Sequence, residues 1–219
     1  MGSTVPKQFI TLGGVPILVH SLRVLEAVPS IDEVILAVPE AEREFCLREI
    51  IAPHGFKKVF KILAGGVRRQ DSVRNGLEAV PADADIVLVH DAVRPFLTSD
   101  MVVKAVEQAA AHGAAVVAIP MRDTVKQTGA DGLIEKTIDR RGLWLAQTPQ
   151  AFRRALLMEA HRKAELDGIH ATDDAQLVER LGQTVAIVEG SLENIKITRP
   201  EDLAIGEAIL AARTQRGGH

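Results

Sequence analysis

The sequence has little cysteine, no long hydrophobic run and no marked excess of either charge. Its single cysteine, Cys46, excludes an internal disulfide framework and suits a reducing compartment. No apolar run approaches the roughly 20 residues of a membrane-spanning helix, and the first residues show no signal-peptide pattern. The net charge is −3, with Lys and Arg spread along the chain, which argues against a nucleic-acid-binding or membrane-surface protein. We therefore expect a cytoplasmic protein whose partners are neither nucleic acid nor membrane.

Short apolar runs alternate with helical patterns along the 219-residue chain. Runs that are apolar on both faces favour strands covered by helices on both sides, and they occur at 33–38, 86–90 and 114–119. Apolar residues repeat with helical spacing at 16–28, 40–51, 72–80 and 100–112. This alternation predicts one α/β domain over residues 1–219, with three layers and a mostly parallel sheet.

The polar segment 124–142 interrupts the alternation. Gly129, Asp131 and Gly132 lie at its middle, and Asp-Gly between extended residues is a hairpin signal. A lone hairpin with little to bury is marginal in water. We therefore expect a β-hairpin arm that lies against another surface, for which a second subunit is the simplest candidate. A mobile surface loop is the alternative that the spacing leaves open.

One apolar strand ends in a carboxylate. In D-I-V-L-V-H-D-A-V-R-P, residues 85–95, Asp91 follows the strand and Arg94 comes three residues later. Ligands of open α/β sheets bind outside the carboxyl ends of the strands, where Asp91 could hold Mg²⁺, a ribose hydroxyl or a substrate hydroxyl. An aspartate that only caps the next turn is the alternative. We interpret His90 as a hydrogen-bonded neighbour, because no second metal-binding residue type lies at a useful spacing.

A glycine-containing turn follows a further strand predicted near 59–63. In A-G-G-V-R-R-Q-D-S, residues 64–72, Gly65 and Gly66 allow the backbone to approach a ligand closely. Ser72 would open a helix whose amide end favours anions. The turn is neither a Walker loop nor the G-x-G-x-x-G fingerprint, which argues against a nucleotide hydrolase or a nicotinamide enzyme.

Two lysines precede ordered segments. Lys196 lies in N-I-K-I-T-R-P-E-D-L, residues 194–203, on an expected short strand ahead of a helix, because Thr198 and Glu201 have capping-box spacing and Pro200 suits a first turn. Lys7 precedes an extended segment near the N-terminus. Each lysine could reach a phosphate or could simply be solvated.

Eight motifs occur in order from end to end of the chain. They are V-P-K-Q-F at 5–9, G-G-x₅-S at 65–72, V-H-D-A-V-R-P at 89–95, P-M-R-D-T-V-K at 120–126, D-R-R-G-L-W at 139–144, Q-T-P-Q at 147–150, T-D-D at 172–174 and N-I-K-I-T-R-P-E-D at 194–202. Together they make the sequence resemble the 2-C-methyl-D-erythritol 4-phosphate cytidylyltransferase family of the non-mevalonate isoprenoid pathway. Eight ordered motifs are far more specific than any one of them.

The resemblance implies a Rossmann-like nucleotidyltransferase fold and a homodimer that transfers CMP from CTP to methylerythritol phosphate. It also implies Mg²⁺ as cofactor and pyrophosphate as the second product. Lys7 matches the lysine that stabilises the transition state. Lys196 and Arg140 match residues that position the methylerythritol phosphate, and Arg140 would reach the partner's site from the hairpin arm.

The resemblance further implies two binding regions. Gly66 and Ser72 match the cytosine pocket of the nucleotide. The residues that match the acceptor and its surroundings are Asp91, Arg94, Thr124, Thr148 and Thr172. For Arg94 two uses stay open, namely charge offered to an anionic ligand and orientation of Asp91.

The first residues depart from the family pattern. Family members begin with an apolar strand and a P-A-A-G-x-G-x-R-M-type loop around the CTP phosphates, whereas this chain starts at Met1-Gly2-Ser3-Thr4, which matches the end of that loop. A misplaced start codon and a real truncation are both open explanations. In either case we expect a gap in the sheet, reduced stability and weak activity from this polypeptide alone.

Two other functions are compatible with the residues. A ribitol 5-phosphate cytidylyltransferase would share the fold but differ in its contacts with the acceptor. A nucleotide-binding or dimerisation module that has lost catalysis would suit the departure at the first residues. The retained Lys7, Arg140 and Lys196 argue against such a module, which has no evident need of all three.

Overall fold

The computed structural model describes residues 7–217. Its strands are β1 (Thr11–Leu12), β2 (Val15–Pro16), β3 (Val34–Val38), β4 (Val59–Ala64), β5 (Ile86–Val89), β6 (Ala114–Pro120), β7 (Val125–Thr128), β8 (Ile134–Ile138), β9 (Trp144–Arg153) and β10 (Ala186–Glu189). Its helices are α1 (Ile17–Ala27), α2 (Arg43–Phe45), α3 (Ala52–His54), α4 (Arg69–Leu77), α5 (Ser99–His112), α6 (Arg154–Leu166), α7 (Asp174–Glu179) and α8 (Pro200–Gly217).

The main strands form two separate sheets. One has four strands in the order β10-β6-β9-β5, and the other pairs β3 with β4 in parallel. β9 runs antiparallel to both β5 and β6, while β10 pairs with β6 in parallel. β5, β6 and β10 therefore share one direction, and the predicted α/β fold is confirmed, with a mixed central sheet that contains parallel strands.

Successive residues of β6 belong to different cores. Ala115 and Val117 pack with α5 and the end of α1, whereas Ala114 and Val116 pack with α6 and α7. A strand between two helical layers needs apolar residues at every position. The run at 114–119 is apolar throughout for that reason, and it confirms the predicted three layers.

The predicted elements are found with small shifts of their ends. The three predicted runs are β3, β5 and β6, and helices are found near all four predicted segments. The helical stretch from Glu40 to His54 is irregular, because a 3₁₀ turn (Glu40–Glu42) and a six-residue π turn (Cys46–Ile51) adjoin α2 and α3. β9, β10, α6 and α7 were not predicted. No helix within residues 7–217 is both long and apolar enough to cross a membrane.

The segment 124–142 forms a hairpin arm rather than an irregular loop. β7 and β8 pair antiparallel, and the turn between them contains Gly132 at a φ of 79°. The Asp131 carboxylate accepts the Leu133 N–H at 3.0 Å and closes the turn. The arm extends from the β6–β9 junction, where Pro120 pairs with Trp144.

A groove of about 900 Å³ lies between β3 and β5. Apolar side chains of both strands and of α1 line it, among them Leu22, Leu36 and Leu88. Within residues 7–217 no strand fills this space, so β3 and β5 each have one unpaired edge. The residues of β5 are consequently only half-buried.

The backbone N–H and C=O groups of β5 alternate between β9 and the groove. Arg154 donates its N–H to the carbonyl of Asp85, which sets the phase of the antiparallel β5–β9 ladder. Val87 and Val89 therefore exchange hydrogen bonds with β9. The backbone groups of Ile86 and Leu88 point into the groove.

Amide hydrogen exchange tests this assignment. We expect the amides of Ile86 and Leu88 to exchange on the order of tenfold faster than those of Val87 and Val89, because no strand among residues 7–217 covers them. Residue-resolved NMR exchange is the measurement, with Ala115, which pairs with both β10 and β9, as the protected reference. Equal protection at all four positions of β5 would contradict an open edge.

Candidate active site

The Asp91 carboxylate lies between two cations at the carboxyl end of β5. Arg69 Nε is 3.0 Å from Oδ1 and Lys196 Nζ is 2.8 Å from Oδ2. A third cation, Arg94, places its Nε 3.7 Å from Oδ2. The structure thus brings Asp91, Arg94 and Lys196 together with Arg69.

Burial opposes ionisation of Asp91, but the hydrogen bond from Lys196 and the charge of Arg69 outweigh it. The pKa of Asp91 is lowered to about 2. Both carboxylate oxygens already face cations, so neither is free for a metal ion. In the part of the chain that the structure describes, no cluster of three or more His, Cys, Asp or Glu side chains offers a metal site.

Arg69 also contacts a second carboxylate. Its Nη1 is 2.7 Å from Oδ2 of Asp174, and the other oxygen of Asp174 is 2.9 Å from His161 Nε2. Asp174 is fully buried. Sequence reasoning missed Arg69, Asp174 and His161. The only signal for Arg69 and Asp174 was the paired R-R and D-D within motifs whose other residues were singled out, and His161 lies outside those motifs.

His90 and Thr148 hold the Asp91 backbone. His90 Nε2 is 3.2 Å from the Arg94 carbonyl, which requires a proton on Nε2 and leaves Nδ1 to accept from the Thr148 hydroxyl at 3.0 Å. The same hydroxyl accepts the Asp91 N–H at 3.0 Å. Burial lowers the pKa of His90 to about 4, so the ring is neutral. Thr148 lies next to Asp91, and its hydroxyl hydrogen is donated to His90.

Arg94 points inward rather than toward solvent. Its Nη1 donates to the Asn194 carbonyl at 2.7 Å, and burial lowers its pKa. The buried Asn194 side chain in turn donates to the Thr148 carbonyl at 2.9 Å. Of the two uses left open for Arg94, this geometry favours orientation of Asp91 and of the segment that carries Lys196.

Two local predictions near Lys196 were wrong. The segment from Ser191 to Arg199 contains no strand, so Lys196 lies in irregular backbone. The start of α8 is capped by Asp202 rather than Glu201, and its carboxylate accepts the N–H of Thr198 and of Arg199, both at 2.8 Å. Because α8 begins at Pro200, Asp202 is the residue positioned to reach back to these amides.

The glycine turn packs tightly against the start of α4. The helix begins at Arg69, so the prediction that Ser72 opens it was wrong by three residues, and Asp71 caps it by accepting the Arg68 N–H at 3.1 Å. The Ser72 hydroxyl accepts the Gly66 N–H at 3.0 Å. A Cβ on Gly66 would lie 2.2 Å from Asp71 Cβ. Glycine is therefore required at this position.

The remaining predicted site residues lie apart from this cluster. Arg140 is exposed at the base of the arm and donates to the Arg122 carbonyl; Thr124, at the same base, is also exposed. Thr172 contacts Gln176 just before α7. Within residues 7–217, no hydrogen bond or ion pair connects these three with Asp91. The Lys7 side chain lies outside the described part of the chain.

Comparison with known proteins gives consistent matches over nearly the whole chain. Residues 1–212 match the family model described as IspD: 2-C-methyl-D-erythritol 4-phosphate cytidylyltransferase. The enzyme of that name from Syntrophus aciditrophicus is 49% identical over 210 residues, covering 96% of this chain and 90% of the relative. The one from Pelotomaculum thermopropionicum is 47% identical, with coverage of 99% and 91%.

Solved structures agree with these matches. The crystal structure of 2-C-methyl-D-erythritol 4-phosphate cytidylyltransferase from Thermus thermophilus is similar with a TM-score of 0.80 at 38% identity, covering 94% of each chain. That of 4-diphosphocytidyl-2C-methyl-D-erythritol synthase from Anaerococcus prevotii has a TM-score of 0.87 at 31% identity, covering 96% of this chain and 92% of the other.

The tight turn at Gly66 can be tested against a glycine in the helix that follows it. We expect Gly66→Ala to lower the free energy of unfolding by about 1–3 kcal/mol, because the new methyl group must displace the Asp71 backbone. Gly76→Ala is the control, since a Cβ there meets nothing within 4 Å. It should be neutral or stabilise by up to about 1 kcal/mol. Urea unfolding measures both, and equal effects of the two substitutions would contradict the close packing.

Proposed function

The chain belongs to the 2-C-methyl-D-erythritol 4-phosphate cytidylyltransferase family, and on that premise we propose how its residues serve the reaction. The enzyme transfers CMP from CTP to 2-C-methyl-D-erythritol 4-phosphate in the non-mevalonate route to isoprenoid precursors. The products are 4-diphosphocytidyl-2-C-methyl-D-erythritol and pyrophosphate.

The reaction is a phosphoryl-type substitution. A phosphate oxygen of the acceptor attacks the α-phosphorus of CTP, the bond to the β-phosphate oxygen breaks, and negative charge builds on the remaining α-phosphate oxygens. Such reactions depend on positioning and on electrostatic stabilisation rather than on covalent work by the protein. We assign stabilisation of the developing charge to Lys7 and positioning of the acceptor to Lys196 and Arg140.

The ion pair of Lys196 with Asp91 is the observation that supports this assignment best. Lys196 is the most exposed member of the cluster, at 40% of its side chain, so its ammonium can reach a ligand. The cluster contains three cations, Arg69, Arg94 and Lys196. They face two carboxylates, Asp91 and Asp174, so the cluster has one net positive charge. A cleft with this balance attracts a phosphate.

The nucleotide end is assigned to the turn that precedes α4. Gly66 and Ser72 would form the wall of the cytosine pocket, because the Gly66 N–H is held by the Ser72 hydroxyl at 3.0 Å and the turn has no side chain at Gly66. Arg69 places this turn next to Asp91 through their 3.0 Å contact. Asp91, Thr148 and Thr172 would then line the space between nucleotide and acceptor, with Thr124 contributed from the arm.

Mg²⁺ is proposed as the cofactor, carried in by the triphosphate. The described residues do not suit a protein-held Mg²⁺ site, because both oxygens of Asp91 face cations. Mg²⁺ usually keeps several waters and binds through substrate phosphates. It would neutralise phosphate charge in the bound nucleotide.

We further propose a homodimer formed through the hairpin arm. Lys126 and Thr137 bond across the arm at 2.7 Å, yet Leu133, Ile134 and the adjoining Trp144 are exposed. A hairpin with so little burial needs a second surface. In the dimer, Arg140 would reach the partner's acceptor site. A cytoplasmic location stays a prediction.

Pyrophosphate release tests the proposed function. We expect release to require both CTP and methylerythritol 4-phosphate, and to be much slower with ribitol 5-phosphate. Lys196→Met should lower kcat by about 100- to 1,000-fold, because one charge that positions the reacting phosphate is lost. Lys104→Met is the control, since Lys104 is exposed on α5 and pairs with Asp100 at 2.9 Å. Faster release with ribitol 5-phosphate would identify that compound as the acceptor. An unchanged kcat in Lys196→Met would refute the role of Lys196.

Mixed dimers test whether Arg140 acts across the interface. Arg140→Ala and Lys196→Met proteins should each be nearly inactive. If the two residues of one site come from different subunits, a mixed dimer has one site with both substitutions and one intact site. Equal mixing with random pairing should then restore about a quarter of parental activity. No recovery, despite subunit exchange shown by mass spectrometry, would mean that Arg140 serves its own subunit.

A further inference from the structure

A single guanidinium joins three segments of the site. Arg69 opens α4, Asp91 follows β5, and Asp174 opens α7; the contacts of Arg69 with the two carboxylates measure 3.0 and 2.7 Å. Asp91 in turn holds Lys196 at 2.8 Å. Arg69 has no role in the reaction as described above.

The donors of Arg69 are not available to a substrate. Nε faces Asp91 and Nη1 faces Asp174, while Nη2 is buried without a hydrogen-bond partner among residues 7–217. Asp174 is held from its other side by His161, which is itself buried. The guanidinium is therefore anchored at its buried end, and its effect on a ligand must pass through Asp91.

We propose that Arg69 is a positioning residue for cytidylyl transfer, which fixes the Asp91 carboxylate so that Lys196 stays directed toward the acceptor phosphate. The inference rests on the proposed function of Lys196. Without Arg69, Asp91 would lose its Oδ1 partner and draw Lys196 into a closer pair. The cleft would also lose its net positive charge, so acceptor binding would weaken.

The shape of the side chain matters as well as its charge. Two different nitrogens of one planar group contact two carboxylates that belong to different segments. A lysine ammonium is a compact point charge and cannot reproduce this fork. Arg69→Lys should therefore keep the charge but lose the position of Asp91.

The test compares steady-state kinetics with thermal unfolding for four variants. Arg69→Gln should raise the KM for methylerythritol 4-phosphate on the order of tenfold, because a charge near a bound phosphate is lost. The KM for CTP should change much less, since Gly66 and Ser72 remain. Arg74→Gln is the matched control, because Arg74 lies on the same helix but pairs with the exposed Glu165. It should leave both KM values unchanged.

The double variant separates positioning from stability. Arg69→Gln alone leaves Asp174 buried without its cation, so it should also lower the melting temperature. Arg69→Gln with Asp174→Asn removes that buried charge and should recover the melting temperature without recovering the acceptor KM. If the KM recovers along with the melting temperature, Arg69 is merely structural and the proposal is overturned.

The other outcomes also decide the matter. If Arg69→Lys has the same KM for methylerythritol 4-phosphate as the parent, charge alone suffices. That result would overturn the need for two nitrogens of one planar group. An equal loss in the KM for CTP would show that Arg69 acts on the turn rather than on Asp91. An active parent with an unchanged acceptor KM in Arg69→Gln overturns only the positioning role. A parent that releases no pyrophosphate overturns the proposed function and this inference together.

Discussion

The site depends on the interaction of the Asp91 carboxylate with Arg69 and Lys196. An ion taken partly out of water is costly unless cations and hydrogen-bond donors replace the solvent. Asp91 is compensated at both oxygens, at 3.0 and 2.8 Å, and its backbone N–H is held by Thr148. An ionised carboxylate is therefore tolerated at the end of β5, next to the apolar sheet.

Exposure differs between the anions and the cations of this series. The exposed fraction of the side chain is 1% for Asp174 and 12% for Asp91, against 30% for Arg69 and 40% for Lys196. Buried groups have fewer conformations open to them, so the two carboxylates act as a fixed support. Lys196 is the most exposed of the four side chains. In the proposed function, a phosphate at Lys196 would meet a charge whose counter-ion is already held in place.

The sequence allowed prediction of the features that follow from local pattern. The apolar runs of β3, β5 and β6, the helix over 100–112 and the Asp-Gly hairpin all have short-range causes, and each was found. β9 was missed because it contains Pro149 and mixes the exposed Trp144 with the buried Gln150, a pattern without clear alternation. Its burial is set by β5 and β6, which lie far away in the sequence.

The polar contacts of the site likewise divide into those that the local sequence indicates and those that depend on distant residues. Asp91 and Lys196 could be singled out because each belongs to a distinctive motif. The partnership of Arg69 with Asp174 spans 105 positions, and nothing in the residues near either one indicates the other. The choice of Asp202 over Glu201 at the start of α8 likewise depends on which carboxylate faces the Thr198 amide. In both cases the direction in which the side chain points determines its partner, and spacing in the sequence does not give that direction.

The two sheets give the Arg69–Asp91 contact a second consequence. Within residues 7–217 no ladder of hydrogen bonds connects β3 with β5, so backbone pairing does not set their relative position. α1 packs on both sheets, with Leu22 in the cluster of β3 and Leu25 in the cluster of β6. Apolar packing of this kind is not directional, whereas a guanidinium with two carboxylates is. Because the Gly66 turn follows β4 and Asp91 follows β5, Arg69 is a directional contact between the two sheets, and the proposed nucleotide and acceptor ends of the site would be held in register by it.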